Sequence, residues 1–203
     1  MFYEPSKGHG LRHDPFKNLV VPRPIGWISS LDGNGIANLA PFSFYNAICV
    51  EPPIVVFGLD LKPGGKEVKD TLRNIEETHE FVVNLPTWGQ REAVLKSATH
   101  APHGTSEFDL AGLGRLPSKL VRPPRVEGAP AHLECRHLQT TVLPHPTPNP
   151  KNFAIFGEVV GVHIDDALIK DGMVDIVSTR PLARLGYLDY STVDSAFSVP
   201  RPD

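Results

Sequence analysis

Two stretches of the chain carry residue types whose spacing suggests chemistry. The first is Arg23-Pro24-Ile25-Gly26-Trp27-Ile28-Ser29-Ser30, continued by Asn38-Leu39-Ala40-Pro41-Phe42-Ser43-Phe44-Tyr45. Small hydroxyl and amide side chains on paired strands set polar donors beside backbone N–H groups. With aromatic and proline faces nearby, that is the wall a flat heteroaromatic ring needs. The second is Lys69-Asp70-Thr71-Leu72-Arg73-Asn74-Ile75, where a helix is expected to begin. Free N–H groups and the positive end of the helix dipole favour an anion there, and Lys69 with Thr71 adds a charge and a hydroxyl. Separately, each stretch also suits an ordinary surface, as solvent-facing strand serines and as a capped helix. In combination they describe a phosphorylated planar ligand lying between a hairpin and a helix start.

The elements that must position these residues can be read along the chain. Residues 1–18 read as a polar arm. Ile25 to Leu31 reads as a strand, followed by the turn cluster Asp32-Gly33-Asn34-Gly35. Ile36 to Ile48 resumes as an extended segment broken at Pro41, so the two form a hairpin. Pro53 to Leu59 is a continuous apolar run, as a strand buried on both faces would show. Lys62 to Lys66 is a Pro/Gly loop, after which Asp70 or Thr71 caps a helix running to Glu77. Glu80 to Leu85 is a strand, and Trp88 to His100 an amphipathic helix stopped by Pro102. Pro117 to Pro130 is broken by prolines and wraps the surface. Ala131 to Leu143 and Phe153 to Ile164 are the two longest strands, separated by a run to Pro150 in which every second residue is proline. A short helix is expected near Gly172 to Ser178.

Composition narrows the classes. Lys+Arg number 20 and Asp+Glu 23, for a net charge of -3 on 203 residues. No basic block is present, so a nucleic-acid binder held by phosphate neutralisation is excluded. The best apolar run, Pro52 to Leu59, is far shorter than the roughly 20 residues of a membrane span. The N-terminus lacks the basic and apolar segments of a secretory signal, and Cys49 and Cys135 suit buried free thiols, so a cytoplasmic protein is expected. The 21 Pro and 17 Gly make up close to a fifth of the chain, against an average of about 12%. That excess argues against a helical bundle and for one mostly-β domain, a barrel or a sandwich.

Several chemistries fail on spacing. No G-x-G-x-x-G follows a strand, and Gly58 to Lys66 misses the phosphate-loop pattern because Glu67 follows the lysine. No G-x-S-x-G elbow is present. The histidines fall in no metal-binding spacing: His132 and His137, for example, are five apart in a strand and so face opposite ways.

The stretches R-P-I-G-W-I-S-S, N-L-A-P-F-S-F-Y, E-P-P-I-V-V-F-G, K-D-T-L-R-N-I and E-F-V-V-N-L, in that order from Leu19 to Leu85, resemble the flavin reductase-like, FMN-binding split-barrel family. Weaker likeness continues in His132-Leu133-Glu134-Cys135, Phe156-Gly157-Glu158-Val159-Val160 and Pro181-Leu182-Ala183-Arg184-Leu185-Gly186-Tyr187. The segment 105–130 and the proline-rich loop look particular to this chain. The resemblance implies a mainly β fold, a six-stranded antiparallel Greek-key split barrel with a few flanking helices occupying residues 19–203. It also implies a homodimer with FMN near the subunit interface.

By the same resemblance Ser29, Ser30, Ala40, Pro41 and Ser43 line the flavin, and Asn38 joins Ser29 and Ser43 in bonding the ring system. Lys69, Asp70, Thr71 and Asn74 surround the phosphate with Arg23 close by, while Arg184 and Tyr187 close the pocket. The family more often has Ser-Thr at Ser29-Ser30, and both hydroxyls survive here. The implied activity is that of an NAD(P)H-dependent FMN oxidoreductase, a flavin reductase passing hydride to flavin N5 and electrons on to a monooxygenase, free flavin or another acceptor. Such chemistry needs no catalytic residue and no metal from the chain. An FMN electron carrier that does not itself oxidise NAD(P)H, and a non-enzymatic FMN- or haem-binding module, stand as alternatives.

Overall fold

The computed structural model describes residues 1–62, 67–99, 101–102, 104–145 and 152–200. Most of the Pro/Gly loop, most of the alternating-proline run, His100 and His103 lie outside the described residues. The chain is mainly β with a few short helices. The strands of its two larger sheets are β1 (Arg23–Pro24), β2 (Gly26–Leu31), β3 (Ala37–Phe42), β4 (Tyr45–Val50), β5 (Pro53–Asp60), β6 (Glu80–Asn84), β7 (Ala131–Leu143), β8 (Asn152–Ile164), β9 (Leu182–Arg184) and β10 (Tyr190–Thr192). The helices that matter to the site are α1 (Asp70–Thr78), α2 (Arg91–Ser97) and α3 (Glu107–Ala111).

Seven strands form one antiparallel sheet in the order β3-β2-β6-β7-β8-β5-β4. The expected count was six. The difference arises at Ser43 and Phe44, where the single extended segment expected over 36–48 bends and becomes two strands. The hairpin is real only as far as Phe42, with the register running from Gly26↔Phe42 to Leu31↔Ala37. Consecutive strands β3 and β4 therefore stand at opposite ends of the strand order, and the sheet has to curl until those ends are two residues apart. The seam is tight: a Cβ added to Gly26 in β2 would lie 2.9 Å from the Tyr45 ring in β4, and one added to Gly58 would lie 3.2 Å from Phe44 Cβ.

Curling divides the core in two. Inside lie Ile28, Phe42, Val55, Phe57, Phe81, Val83 and Ile155, closed by Leu72 and Ile75 of α1. Outside, Trp27, Leu39 and Ala37 pack against Val94 of α2 and Phe108 of α3. Side chains alternate across a strand, so β2 sends Ile28 inward and Trp27 outward, and both are fully buried. The two-sided burial expected of Pro53–Leu59 belongs instead to β2. In β5 only Val55, Phe57 and Leu59 are buried, and that strand neighbours the edge strand β4.

Four further expectations shift. Trp88–Gln90 is a 3-10 turn under a capping box from Thr87 and Gln90, and α2 proper ends at Ser97. Neither Asp70 nor Thr71 caps α1: Lys69 takes that position in extended conformation, with no side-chain bond to the helix start. The helix expected near 172–178 is a tight ribbon, Ile169–Lys170 against Met173–Val174, turned by Asp171 and Gly172 at φ 51° and 76°, then a single 3-10 turn at Val177–Thr179. The segment 117–130 does not only wrap the surface: Arg125–Val126 pairs with Arg115–Leu116, Val121, Val126 and Ala129 are buried, and the fully buried Glu134 carboxylate anchors it by accepting the N–H groups of Lys119, Leu120 and Val121.

If the seam holds the sheet closed, Gly26→Val forces its side chain into the Tyr45 ring. Overpacking of this kind costs about 1–3 kcal/mol, so the urea midpoint should fall with an unchanged slope. A midpoint equal to wild type would mean that the two ends are not in tight contact.

Candidate functional site

The bend at the end of β3 is surrounded by three adjoining pockets, all bordered by Pro41. Proline has no N–H to give to a ladder, and the chain leaves the sheet within two residues of it. The first pocket, about 100 Å³, lies between β3 and the start of α1. Asn38, Ala40 and Phe42, at alternate positions of one strand face, meet Lys62, Lys69, Asp70 and Thr71 there, with Thr99 and Glu107 opposite. The second, about 460 Å³, is bordered by Arg23, Ser43, Phe44, Arg184, Tyr187 and Tyr190, together with residues of the N-terminal arm. The third, about 590 Å³, runs from Ser43 and Phe44 over Gly58 to Lys69 and the ends of β7 and β8.

Two lysines and the start of α1 place positive charge on one side of the first pocket. Lys69 Nζ lies 2.5 Å from Asp60 and 5.7 Å from the Phe42 ring centroid. Lys62 Nζ lies 2.8 Å from Asp70 Oδ2, whose other oxygen receives Arg73 at 3.1 Å. With Glu107 on the opposite wall, three cations meet three carboxylates, and the two lysines stand on the α1 side. The first-turn N–H groups of α1 receive no capping side chain, and such groups point outward at the positive end of the helix dipole. That donor set fits a phosphate. The adjoining pockets are of the size that holds small ligands.

A buried polar network fixes this arrangement. Asn38 Nδ2 donates to Glu107 Oε2 at 2.7 Å, and Leu39 N donates to the same oxygen at 3.0 Å. Asn38 Oδ1 accepts from Thr71 Oγ1 at 2.8 Å and from Ser30 Oγ at 3.5 Å, and Asn74 Nδ2 donates to Ser30 Oγ at 3.1 Å. The helix start is thereby bolted to the β2–β3 hairpin.

Of the residues singled out from sequence, Asn38, Ala40, Pro41, Lys69, Asp70 and Thr71 meet at the first pocket. Arg23, Ser43, Arg184 and Tyr187 meet at the second. Ser29, Ser30 and Asn74 border none of the three. Ser29 is fully buried, donating to Pro124 O at 2.5 Å and accepting from Asn84 at 3.2 Å, while Ser30 and Asn74 belong to the network. Thr71 spends its hydroxyl on Asn38, so its backbone N–H is what remains for a ligand. Sequence reasoning missed Lys62, hidden in a loop, and Glu107, which sits in the segment that seemed particular to this chain. It also missed Lys17 and His13 of the arm. Only Phe44 carried a signal, inside the N-L-A-P-F-S-F-Y stretch. Among the described residues, no group of three or more His, Cys, Asp or Glu is placed to hold a metal, and no helix is long and apolar enough to cross a membrane.

Fold and site together define a class: a curled antiparallel β-sheet protein with a cation-lined groove where the ends of its sheet meet. The chain belongs to the flavin reductase-like family, whose flavin reductase like domain matches residues 18–182. An uncharacterised protein of Halalkalibacterium halodurans is 36% identical over 183 residues, covering 90% of this chain and 87% of its own. Among solved structures, nitrilotriacetate monooxygenase component B from Bacillus cereus superposes with a TM-score of 0.89 at 28% identity, covering 98% of both chains. The 2-nitrobenzoate 2-nitroreductase NbaA of Pseudomonas fluorescens gives 0.85 at 26%, covering 100% of this chain and 96% of that one.

If the start of α1 holds the phosphate of FMN, Lys69→Ala should weaken its binding by about tenfold, the worth of one charge-assisted hydrogen bond, and Lys69→Arg should restore most of it. Quenching of flavin fluorescence measures both. Thr71→Ala should instead lower stability by about 1 kcal/mol, because Asn38 Oδ1 loses its shorter partner. Unchanged FMN affinity in Lys69→Ala would remove the helix start from the phosphate site.

Proposed function

We propose that the protein is an FMN-dependent oxidoreductase, an NAD(P)H:flavin reductase that passes electrons to a separate acceptor. The observation that carries this reading is the uncapped start of α1, with Lys62 and Lys69 beside it, opening onto a groove walled by the end of β3. Family membership supports a flavin as the ligand. The FMN phosphate would be held by Lys69, Lys62 and the N–H groups at Asp70 and Thr71. Asn38, Ala40, Pro41 and Ser43 would border the ring system, and Arg23, Arg184 and Tyr187 would close its far end. Ser29, Ser30 and Asn74 act one step back as positioning residues.

When bound, FMN supplies reversible hydride chemistry at N5 between NAD(P)H and an acceptor. The chain's own task is to hold and orient. Asn38 is locked by Glu107 and Thr71, so its position is set before any ligand arrives. Pro41 and Phe42 offer apolar faces, and Phe44 forms the floor between two pockets.

Counting 37–50 as one bent strand, we read the support as a six-stranded barrel of Greek-key type with the arm 1–18 outside it. We also propose a cytoplasmic homodimer: the edge strand β4 exposes Ile48 and Val50, the latter 84% accessible, and open apolar edges call for a partner. The Bacillus cereus relative is named as a monooxygenase component, which supports a monooxygenase as the electron acceptor here.

The test is colour. Protein loaded with FMN and mixed with NADPH or NADH without oxygen should lose its yellow absorbance, and recover it on admission of air. A yellow protein inert to both nucleotides would replace the reductase with an electron carrier. A protein that takes up no flavin would end the FMN reading.

A further inference from the structure

The histidines show no metal-binding spacing along the chain, yet the fold brings two of them face to face. His79 Nδ1 and His137 Nδ1 lie 3.5 Å apart across 58 residues of sequence, with their rings parallel to within 5°. Both backbones are fixed. His79 closes α1 in the left-handed region at φ 59°, and its N–H donates to Ile75 O at 2.9 Å. His137 N in turn donates to His79 O at 2.9 Å, extending the β6–β7 ladder by one residue.

A β-bulge aims the second ring. The register slips between Gly157↔His137 and Phe156↔Gln139, which leaves Leu138 without a partner in β8. Plain alternation would put His137 and Thr140 on opposite faces of β7. The extra residue brings them to the same face, where His137 Nε2 lies 3.0 Å from Thr140 Oγ1. With Nε2–H donating to that hydroxyl, Nδ1 keeps a bare lone pair, the arrangement in which an outer partner orients a metal-binding histidine. Burial first, and the facing His79 second, push the His137 pKa below its ordinary value. The ring is thereby kept neutral, as a ligand must be.

The gap between the two nitrogens distinguishes what can fill it. It is wider than the about 2.7–3.2 Å of an ordinary hydrogen bond. Two nitrogens each about 2.0–2.1 Å from a tetrahedral zinc stand about 3.3–3.4 Å from one another. Neighbouring ligands of a square-planar copper would stand only about 2.8 Å apart. We infer that His79 and His137 form a two-histidine zinc site that clasps the end of α1 to β7. Among the described residues no third His, Cys, Asp or Glu is in place to bind the ion, so water completes the tetrahedron. Glu76, in the last turn of α1, lies close enough for its charge to act on His137 and adds to the attraction for a cation. The site shares no residue with the flavin groove and does not depend on the FMN reading.

Calorimetric titration of the full, tag-free chain with zinc tests it, with magnesium, which prefers oxygen ligands, as the control. Wild type should show one saturable zinc step of one ion per chain, and no step with magnesium. Losing either ring of a two-point chelate should weaken that step by about a hundredfold or more, so His79→Asn and His137→Gln should each remove it. The double variant should bind no worse than either single one, as expected when both rings hold the same ion. Asn tolerates the left-handed conformation at a helix end and His79 is exposed, so His79→Asn carries the test if His137→Gln fails to fold. Zinc should also raise the Tm of wild type and leave that of His79→Asn unchanged, because only the folded chain holds the two rings together. The chain has nine histidines, and the other seven remain in every variant. A zinc step of wild-type affinity in His79→Asn would therefore place the ion elsewhere and overturn the inference. So would the lack of any saturable zinc step in wild type.

Discussion

Strands β3 and β4 lie at opposite ends of the seven-stranded order, yet only Ser43 and Phe44 separate them in the chain. A link of two residues spans at most about 11 Å between its flanking neighbours at full extension. A flat sheet would hold the same ends far apart, since each strand adds nearly 5 Å. The sheet is therefore compelled to roll up, and its inner face becomes an apolar interior around Phe57 and Phe81. The link is also where regular pairing stops. Backbone freed from the ladder, a proline with no N–H and two aromatic side chains gather at that point, and the three pockets gather there with them.

The polar network beside the link converts this geometry into a site. Glu107 would be an expensive residue to bury alone. It is satisfied by Asn38 and by the Leu39 N–H, so it holds the strand that walls the groove. Asn38 in turn holds Thr71, and Ser30 holds Asn74, fixing the first turn of α1 against the hairpin. A helix start can receive an anion only if its N–H groups stay in place without a capping side chain, and here tertiary bonds one layer deeper replace the cap.

Much of this was legible in the chain and some was not, for identifiable reasons. The hairpin could be read because Asp32-Gly33-Asn34-Gly35 punctuates two apolar segments, and α1 because Leu72 and Ile75 recur at helical spacing. The bend at Ser43 and Phe44 offered only one turn-prone residue, Ser43, with no Gly or Asn beside it, and one expected strand became two. Ser29 and Ser30 have the types of ligand-facing residues, but β2 is buried by α1 on its inner side and by α2 and α3 on its outer side, all from farther along the chain. Glu107 and Lys62 were invisible because their roles exist only through partners brought close by folding. Local pattern reports on elements and turns, whereas the counter-charges that decide a site come from tertiary contact.

Two cationic regions flank one groove, and they differ in pairing. At the start of α1 Lys62, Lys69 and Arg73 each face a carboxylate, whereas Arg23 and Arg184 face each other across β1 and β9. Diffraction from crystals grown with FMN tests the proposed phosphate site most directly. The account predicts the phosphate within about 3 Å of Lys69 Nζ and the Thr71 N–H, with the ring system against Ala40 to Ser43. A phosphate seated instead between Arg23 and Arg184, with the start of α1 making no contact, would contradict it.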